Sequence, residues 1–233
     1  QLGRDVSVER DAVSLFLQGR EIKPYEVGPS GKVVVRPYQI LKVRAGLVPG
    51  KEMKTQLPKA CAYLAENRKH LEQRERGRHR GPMRLLTSEQ QTKPALLLPK
   101  ILIPDIANRA SFALDEAGIY AFTSGYGITL SSTVRESVKY VLGLLNSRLL
   151  DFFLKGISTT MRGGYFRYFM QYVSQLPIHT IDFDDPADVT RHDRMVALVE
   201  RMLALHKQLA DANTPQAKNV LQQQIEVTDR AID

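Results

Sequence analysis

The sequence is poor in cysteine and has no long apolar run. Its one cysteine, Cys61, cannot form an internal disulfide or a cysteine-rich zinc cluster. The longest apolar run, Ala95 to Ile103, is interrupted by Pro99 and Lys100. It is far shorter than the roughly 20 residues that a membrane-spanning helix needs. No signal-peptide pattern opens the chain, so we expect a protein of the reducing cytoplasm with no membrane segment.

Motifs for catalysis and cofactor binding are also scarce. No phosphate-binding loop is present, and Gly125-Tyr126-Gly127 lacks the third glycine of a dinucleotide-binding loop, so we interpret it as a tight turn. The five histidines have no mutual spacing that is typical of a metal site, and we interpret them as surface residues: His70, His79, His179, His192 and His206. The chain is therefore expected to bind no metal.

One pair of motifs contains the residue types that a metal-dependent nuclease uses. Such a nuclease needs two carboxylates and a lysine to lie close together in its active site. These motifs are Pro104-Asp105 and Glu21-Ile22-Lys23, and they occur in the reverse of the usual chain order. Convergence in space is not excluded by sequence separation. We expect no catalytic residue in this chain and keep a free-standing nuclease as an open alternative.

Positive charge is plentiful and unevenly distributed. The net charge of the chain is +8, and residues 1–180 carry +12 whereas residues 181–233 carry −4. A basic domain attracts polyanions through long-range Coulomb forces and through the release of counterions from phosphates. Nucleic acid is therefore the leading partner of residues 1–180, and a basic surface that only serves solubility is the alternative.

Hydrophobic periodicity divides the chain into two parts. Short strand patterns separated by turns over residues 96–130 indicate a β-meander, and one helical face runs from Val134 to about Lys155. Two further helical patterns, joined near Asn213-Thr214-Pro215, indicate a hairpin. We predict an α+β fold, with a mixed or antiparallel sheet recognition domain and packed helices over residues 1–180, followed by a C-terminal helical tail over residues 181–233.

The segment from Met161 to Phe169 is the richest candidate for contacts with nucleic acid. It interleaves Arg162 and Arg167 with aromatic residues and includes Gly163-Gly164. Arginine pairs with guanine edges or phosphates, tyrosine can bond phosphate or stack on a base, and glycine lets the backbone approach closely. For the aromatic residues, a place in the core is the better interpretation.

Further cations are candidates for the same surface. Lys100 interrupts an apolar strand and must reach either the surface or a salt-bridge partner, because a buried unpaired ammonium is costly. Including the basic loop at Arg78 and Arg80, the predicted contacts with double-stranded DNA are Lys23, Arg78, Arg80, Lys100, Arg109, Arg162, Tyr165, Arg167 and Tyr168.

At several of these residues the chain resembles the C-terminal target-recognition domain of TaqI-like adenine-N6 DNA methyltransferases, including type IIG restriction-modification enzymes. The resemblance extends over most of the chain. It rests on the order and spacing of these segments: Gly19-Arg20-Glu21-Ile22-Lys23-Pro24-Tyr25, Tyr63-Leu64, Leu71-Glu72-Gln73-Arg74, Pro99 to Ile106, Leu144-Leu145-Asn146-Ser147-Arg148-Leu149, Arg162-Gly163-Gly164, Arg167-Tyr168 and Gln175-Leu176-Pro177-Ile178.

This resemblance implies a sequence-reading module of a bacterial or archaeal restriction-modification system. In the family an N-terminal domain binds S-adenosylmethionine, and an Asn-Pro-Pro-Tyr type motif holds the flipped adenine. This chain has no Pro-Pro pair. It begins at Gln1, and its last helical pattern stops at Asp233, so we expect it to be part of a longer protein. The N-terminal methyltransferase domain of the same polypeptide is then its partner. A protein-interaction module, whose basic face meets an acidic partner and whose tail hairpin forms a dimer surface, is the alternative.

The charge distribution leads to a prediction about salt. We expect the chain to bind duplex DNA weakly, with an affinity that falls steeply as salt rises, as about five or more phosphate contacts require. Fluorescence anisotropy of a labelled duplex across a salt series measures this slope. An affinity that does not change with salt would contradict the prediction.

Overall fold

A computed structural model of the chain describes residues 5–35, 38–41, 44–48, 50–73 and 98–233. The predicted contacts Arg78 and Arg80 lie outside the described residues. The strands, in chain order, are β1 (Val13–Leu17), β2 (Ile22–Lys23), β3 (Glu26–Val27), β4 (Val33–Val35), β5 (Tyr38–Leu41), β6 (Arg44–Leu47), β7 (Lys100–Pro104), β8 (Ile106–Ala107), β9 (Ala113–Asp115), β10 (Tyr120–Phe122), β11 (Gly125–Ile128), β12 (Thr160–Met161) and β13 (Tyr165–Arg167). The α-helices are α1 (Gly50–Gln56), α2 (Pro58–Glu66), α3 (Arg68–Gln73), α4 (Val138–Asn146), α5 (Arg148–Ile157), α6 (Met170–Val173), α7 (Pro186–Asp211) and α8 (Pro215–Ile232).

The chain forms two compact units that interleave in sequence. The first unit contains Gln1–Phe16, Ser30–Leu98 and Ala117–Ala121. The second unit contains Leu17–Pro29, Pro99–Glu116 and Phe122–Asp233.

The first unit contains a three-stranded sheet of order β10-β1-β4, the hairpin β5-β6 and the helices α1 to α3. Pro58 occupies the first turn of α2, where its missing N–H costs nothing. The carboxylate of Glu9 accepts hydrogen bonds from the backbone N–H groups of Lys59 and Ala60, at 2.8 and 2.9 Å. A small core forms between these elements from Ala12, Val48, Met53, Leu57, Ala60 and Leu64.

The second unit is built around β7, which is buried at every position. Strand β7 lies between β11 and β9 in one antiparallel sheet, and a second sheet has the order β12-β13-β8. The predicted meander over residues 96–130 is wrong beyond its first two strands. Strand β7 pairs with β9, but β10 belongs to the sheet of the first unit and β11 pairs with β7. The α+β class is confirmed, although the strands form several small sheets.

The helix predicted from Val134 to about Lys155 is in fact two helices, α4 and α5, which meet at Ser147. The Ser147 side chain accepts a hydrogen bond from the backbone N–H of Leu150 at 3.3 Å and thereby caps α5. Serine at such a position competes for backbone hydrogen bonds and favours a helix start over a helix interior. The apolar periodicity continues across the break, which is why the sequence pattern does not reveal it.

The predicted C-terminal helical hairpin is confirmed as α7 and α8. Each helix begins with a proline in its first turn, preceded by a capping residue, Asp185 for α7 and Thr214 for α8. The hairpin packs into the same core as β7 and α4 through Val199, Met202, Leu205, Ile225 and Ile232. These side chains are therefore not available for the dimer surface of the interaction alternative. No helix in the described part of the chain is long and apolar enough to span a bilayer.

The contact between α4 and α7 leads to a prediction about packing. A Cβ atom added at Gly143 would lie 2.6 Å from Sδ of Met195 and 2.9 Å from Cγ2 of Val199. We expect Gly143→Ala to lower the free energy of unfolding, because steric strain of roughly 1–3 kcal/mol exceeds the gain of about 1 kcal/mol that alanine has over glycine in a helix.

Gly156 provides the matched control. It lies in α5 with nothing within 4 Å of an added Cβ, so Gly156→Ala is expected to raise the free energy of unfolding by up to about 1 kcal/mol. Urea denaturation followed by circular dichroism measures both variants. Equal effects of the two substitutions would contradict the close approach of α4 and α7.

Candidate nucleic-acid interface

The predicted DNA-binding segment forms a tight β-hairpin between β12 and β13. Met161 lies opposite Tyr165, and the three residues between them form the turn. Gly163 and Gly164 have φ angles of +85° and +78°, which residues with a side chain rarely adopt. The Gly-Gly pair is therefore required by the turn, and it leaves Arg162 exposed at the tip.

The two faces of β13 have different roles, because successive side chains of a strand point to opposite faces. Phe166 lies opposite Ala107 of β8 and packs against the core. Tyr165 and Arg167 lie on the other face, where Arg167 is opposite Ile106. Tyr165 and Ile106 are 44% and 42% exposed. The outer face of this sheet is therefore partly open to solvent and carries an arginine and a tyrosine.

Two of the predicted contacts are buried. Lys100 is 0% exposed, and its ammonium forms an ion pair with the buried carboxylate of Asp115. This is the structural salt bridge that the sequence left open as the alternative. Tyr168 is also 0% exposed and packs edge-on against Phe112, with 6.1 Å between ring centroids. Neither side chain can reach DNA in this conformation, and we remove both from the predicted interface.

Two other predicted cations are exposed but lie on other elements. Lys23 lies in the hairpin β2-β3, opposite Glu26. Arg109 follows β8, and its charge counteracts the effect of burial on Asp229 of α8, where burial raises the pKa of the carboxyl group. The structure thus brings Arg162, Tyr165 and Arg167 together on one hairpin and places Lys23 and Arg109 outside it.

The hairpin sheet is attached to α5 through the carboxylate of Asp151. Oδ1 accepts hydrogen bonds from the backbone N–H of Ala110 at 2.8 Å and from the hydroxyl of Tyr168 at 2.5 Å. Oδ2 pairs with Nζ of Lys155 at 2.6 Å. Burial and the neighbouring Asp151 charge raise the pKa of the Tyr168 hydroxyl, which therefore remains a hydrogen-bond donor at physiological pH.

A second polar contact involves Asn146, at the end of α4. Its Oδ1 accepts from the backbone N–H of Phe112, and its Nδ2 donates to the carbonyl of Phe112, each at 2.9 Å. The Phe112 carbonyl also accepts from the backbone N–H of Tyr25 at 2.8 Å. A side-chain amide thus satisfies both backbone groups of Phe112, as a neighbouring strand would. Sequence reasoning did not identify Asp151 as important, and it included Asn146 only within a family motif, without a role. The signal available was a polar residue beside an apolar helix face.

The residues considered for catalysis and metal binding have the following surroundings. In the described part of the chain, no group of three or more His, Cys, Asp or Glu side chains could hold a metal ion. The Glu21 carboxylate accepts from the backbone N–H of Gln18 at 2.5 Å and pairs with Arg20. The prediction of surface histidines is wrong for His192, which is buried and accepts a hydrogen bond from the backbone N–H of Ser137 at 3.1 Å.

The glycines that could serve a nucleotide cofactor are committed to packing. A Cβ atom at Gly125 would lie 2.3 Å from the carbonyl oxygen of Ile103, and one at Gly127 would lie 3.2 Å from the ring of Phe122. Both glycines lie within β11, so the predicted tight turn is wrong, and they are small because neighbouring groups lie close. These residues do not fit a site for S-adenosylmethionine.

Comparison with known proteins identifies the family. The model of the TaqI-like C-terminal specificity domain matches residues 14–178, and this range includes the hairpin and both polar contacts. The chain belongs to this family.

The relatives of the specificity domain include the type II restriction enzyme and methyltransferase RM.Eco57I of Escherichia coli, which is 24% identical over 86% of this chain. They also include the type II methyltransferases M.XhoI of Xanthomonas vasicola, 32% identical over 52% of the chain, and M.PaeR7I of Pseudomonas aeruginosa, 28% identical over 74%. The chain spans 22%, 22% and 28% of the length of these three relatives.

The motifs that carry the resemblance have structural roles in this specificity domain. Gly19 is small because the carbonyl oxygen of Ser124 would lie 2.8 Å from an added Cβ. Tyr25 is buried with a φ of 60° in the turn between β2 and β3. Asn146 and Ser147 hold Phe112 and begin α5, as described above. These family positions therefore include residues that are needed for close packing, for a turn and for the start of a helix.

The attachment of the hairpin sheet leads to a prediction about Asp151. We expect Asp151→Ala to lower the free energy of unfolding by roughly 2–3 kcal/mol, because the buried hydroxyl of Tyr168 and the N–H of Ala110 lose their acceptor. Asp151→Asn retains one acceptor oxygen for these two donors and loses the charge and the ion pair with Lys155, so the expected loss is about 1 kcal/mol. Urea denaturation measures both variants. An Asp151→Ala protein as stable as the original chain would show that this carboxylate does not hold the sheet.

Proposed function

We propose that this specificity domain is the DNA-reading part of an S-adenosylmethionine-dependent adenine-N6 DNA methyltransferase of the restriction-modification type. The observation that carries the proposal is the β12-β13 hairpin, which presents Arg162, Tyr165 and Arg167 on a sheet anchored by buried groups. The major groove of B-DNA is wide enough for a two-stranded β-ribbon, and base edges there carry the sequence. The net charge of +12 on residues 1–180 supports the same partner.

The reaction itself is assigned to another part of the polypeptide. The three relatives are named as methyltransferases, and the chain corresponds to about a quarter of their length or less. We infer that a methyltransferase domain N-terminal to this one holds S-adenosylmethionine and the flipped adenine, while residues 1–180 grip the duplex beside it. A cytoplasmic location follows from this role.

The acidic tail over residues 181–233 is assigned a packing role. Its charge of −4 disfavours contact with phosphates. Asp233 accepts a hydrogen bond from the backbone N–H of Arg148 at 2.7 Å and pairs with the Arg148 side chain, so the tail also caps the start of α5. We infer a functional boundary near residue 180, with the proposed DNA contacts before it and the tail, which has a packing role, after it.

One observation favours a protein partner as well. Leu149 and Phe152 on α5 are 74% and 78% exposed, and Phe153 and Gly156 extend the same helix face. An exposed apolar stripe of this kind is typical of protein contacts. The alternative function, a protein-interaction module, would use this stripe, whereas the DNA-reading function uses the hairpin.

Substitutions at the two surfaces distinguish these functions. We expect Arg162→Glu to weaken duplex binding by about tenfold or more, because it replaces a phosphate-attracting charge with a repelling one. Phe152→Ser, on the apolar stripe, is expected to leave duplex affinity unchanged. Fluorescence anisotropy at a fixed salt concentration measures both.

The matched control is Arg201→Glu, the same change of charge at an exposed position of α7. Equal losses for Arg162→Glu and Arg201→Glu would show that the hairpin is not the interface.

Modification-sensitive sequencing of DNA from cells that express the longer protein tests the reaction, and methylated adenines in one recurring motif are the expected result.

A further inference from the structure

The two arginines of the hairpin are held very differently. Arg162 lies at the exposed tip beside two glycines, and its side chain makes no hydrogen bond or ion pair with the described residues. The backbone of Arg167 is fixed on both sides, since its N–H donates to the carbonyl of Thr159 at 3.3 Å and its carbonyl accepts from Oγ of Ser158 at 2.6 Å. The next residue, Tyr168, is buried in the core.

The guanidinium of Arg167 is also oriented. Its Cζ lies 5.0 Å from the centroid of the Phe169 ring, within the range of a cation–π contact. Phe169 is itself held edge-on against Tyr126, with 6.3 Å between ring centroids. Arg167 thus extends from a fixed backbone over a ring that has its own support.

The environment of Arg167 leaves part of its hydrogen-bonding capacity unused. Its Nε atom is buried and has no hydrogen-bond partner among the described residues. No described carboxylate forms an ion pair with the guanidinium, although the residue is only partly exposed. The guanidinium thus has no described charge partner, which suits a residue that donates hydrogen bonds to an external acceptor.

We propose that Arg167 reads a guanine in the recognised DNA sequence, with Phe169 as its positioning residue, whereas Arg162 contacts the phosphate backbone. This inference rests on the proposed function. Because Nε is buried, Arg167 meets the base end-on, through its two terminal amino groups, which donate to O6 and N7 of guanine.

The physical reason for this assignment is the different geometry that the two contacts need. A phosphate attracts any nearby cation and is satisfied by a mobile side chain, which suits Arg162 at the hairpin tip. Guanine is recognised by two parallel hydrogen bonds in one plane, so a guanidinium already fixed in orientation loses less conformational entropy on binding. Tyr165, two residues earlier on the same face of β13, completes a surface directed at the same groove.

Replacement of arginine by lysine separates the two roles, because lysine keeps the charge and loses the planar pair of donors. The test selects duplexes from a randomised pool with the chain and its variants, and reads the base preference at each position of the enriched sequence. For Arg167→Lys we expect the preference for guanine at one position to fall by about tenfold to a hundredfold. For Arg162→Lys we expect the enriched sequence to be unchanged.

Phe169→Leu tests the positioning role with a readout that a merely structural role would not move. It removes the ring face under the guanidinium and keeps an apolar side chain, so we expect a smaller loss of guanine preference at the same position as in Arg167→Lys. Arg201→Lys on α7 is the charge-matched control and should select the original sequence. Circular dichroism establishes that each variant is folded.

The outcomes separate the failure of this inference from failure of the proposed function. If the original chain enriches a sequence and both Arg167→Lys and Phe169→Leu enrich it with the same base preferences, Arg167 is not a base reader. An enriched sequence without a G·C pair would overturn the inference as well. If the original chain enriches no sequence and its affinity does not depend on salt, the proposed function itself is wrong.

Discussion

The carboxylate of Asp151 joins α5 to the segments on either side of the hairpin sheet in the second unit. It accepts hydrogen bonds from the N–H of Ala110, in the segment after β8, and from the hydroxyl of Tyr168, just after β13. It also forms an ion pair with the ammonium of Lys155 on its own helix. Each of these donors stabilises the carboxylate, and each would lose its hydrogen-bond or ion-pair partner if the carboxylate were removed. This one carboxylate therefore contributes two of the polar contacts that hold the hairpin sheet against α5, alongside the hydrogen bond from Ser158 to the Arg167 carbonyl.

This constraint explains how a short hairpin can be held in one position. Two-stranded ribbons are marginally stable in isolation, and β12 and β13 are short, with two and three residues. Pairing with β8, the buried Tyr168 and the backbone bonds of Arg167 supply the stability that the ribbon lacks. The outer face can then be partly exposed and polar, because the inner face and its neighbours hold the strand in place.

Some features of this protein could be predicted from its sequence, and others could not. Charge distribution, the family motifs and the tail hairpin were predictable, because each is local or additive along the chain. The roles of Lys100 and Tyr168 were not, since a lysine in an apolar strand is equally consistent with a surface contact and with a buried pair to Asp115, 15 residues away. The break at Ser147 was hidden because apolar spacing continues through it, and the hydrogen bonds at the break decide where each helix begins.

The sequence by itself determined the class of fold, the basic character of residues 1–180, the Gly-Gly pair beside Arg162 and membership of the specificity-domain family. Residue types and short spacings determine these properties, so they can be predicted without knowledge of residues that are distant in the chain. Only the tertiary structure decided which cations remain accessible, which arginine is held and which is free, and how Asp151 and Asn146 support the hairpin. Those outcomes depend on contacts between residues far apart in the chain, where burial and the available partner, not the side-chain type, decide what a polar group does.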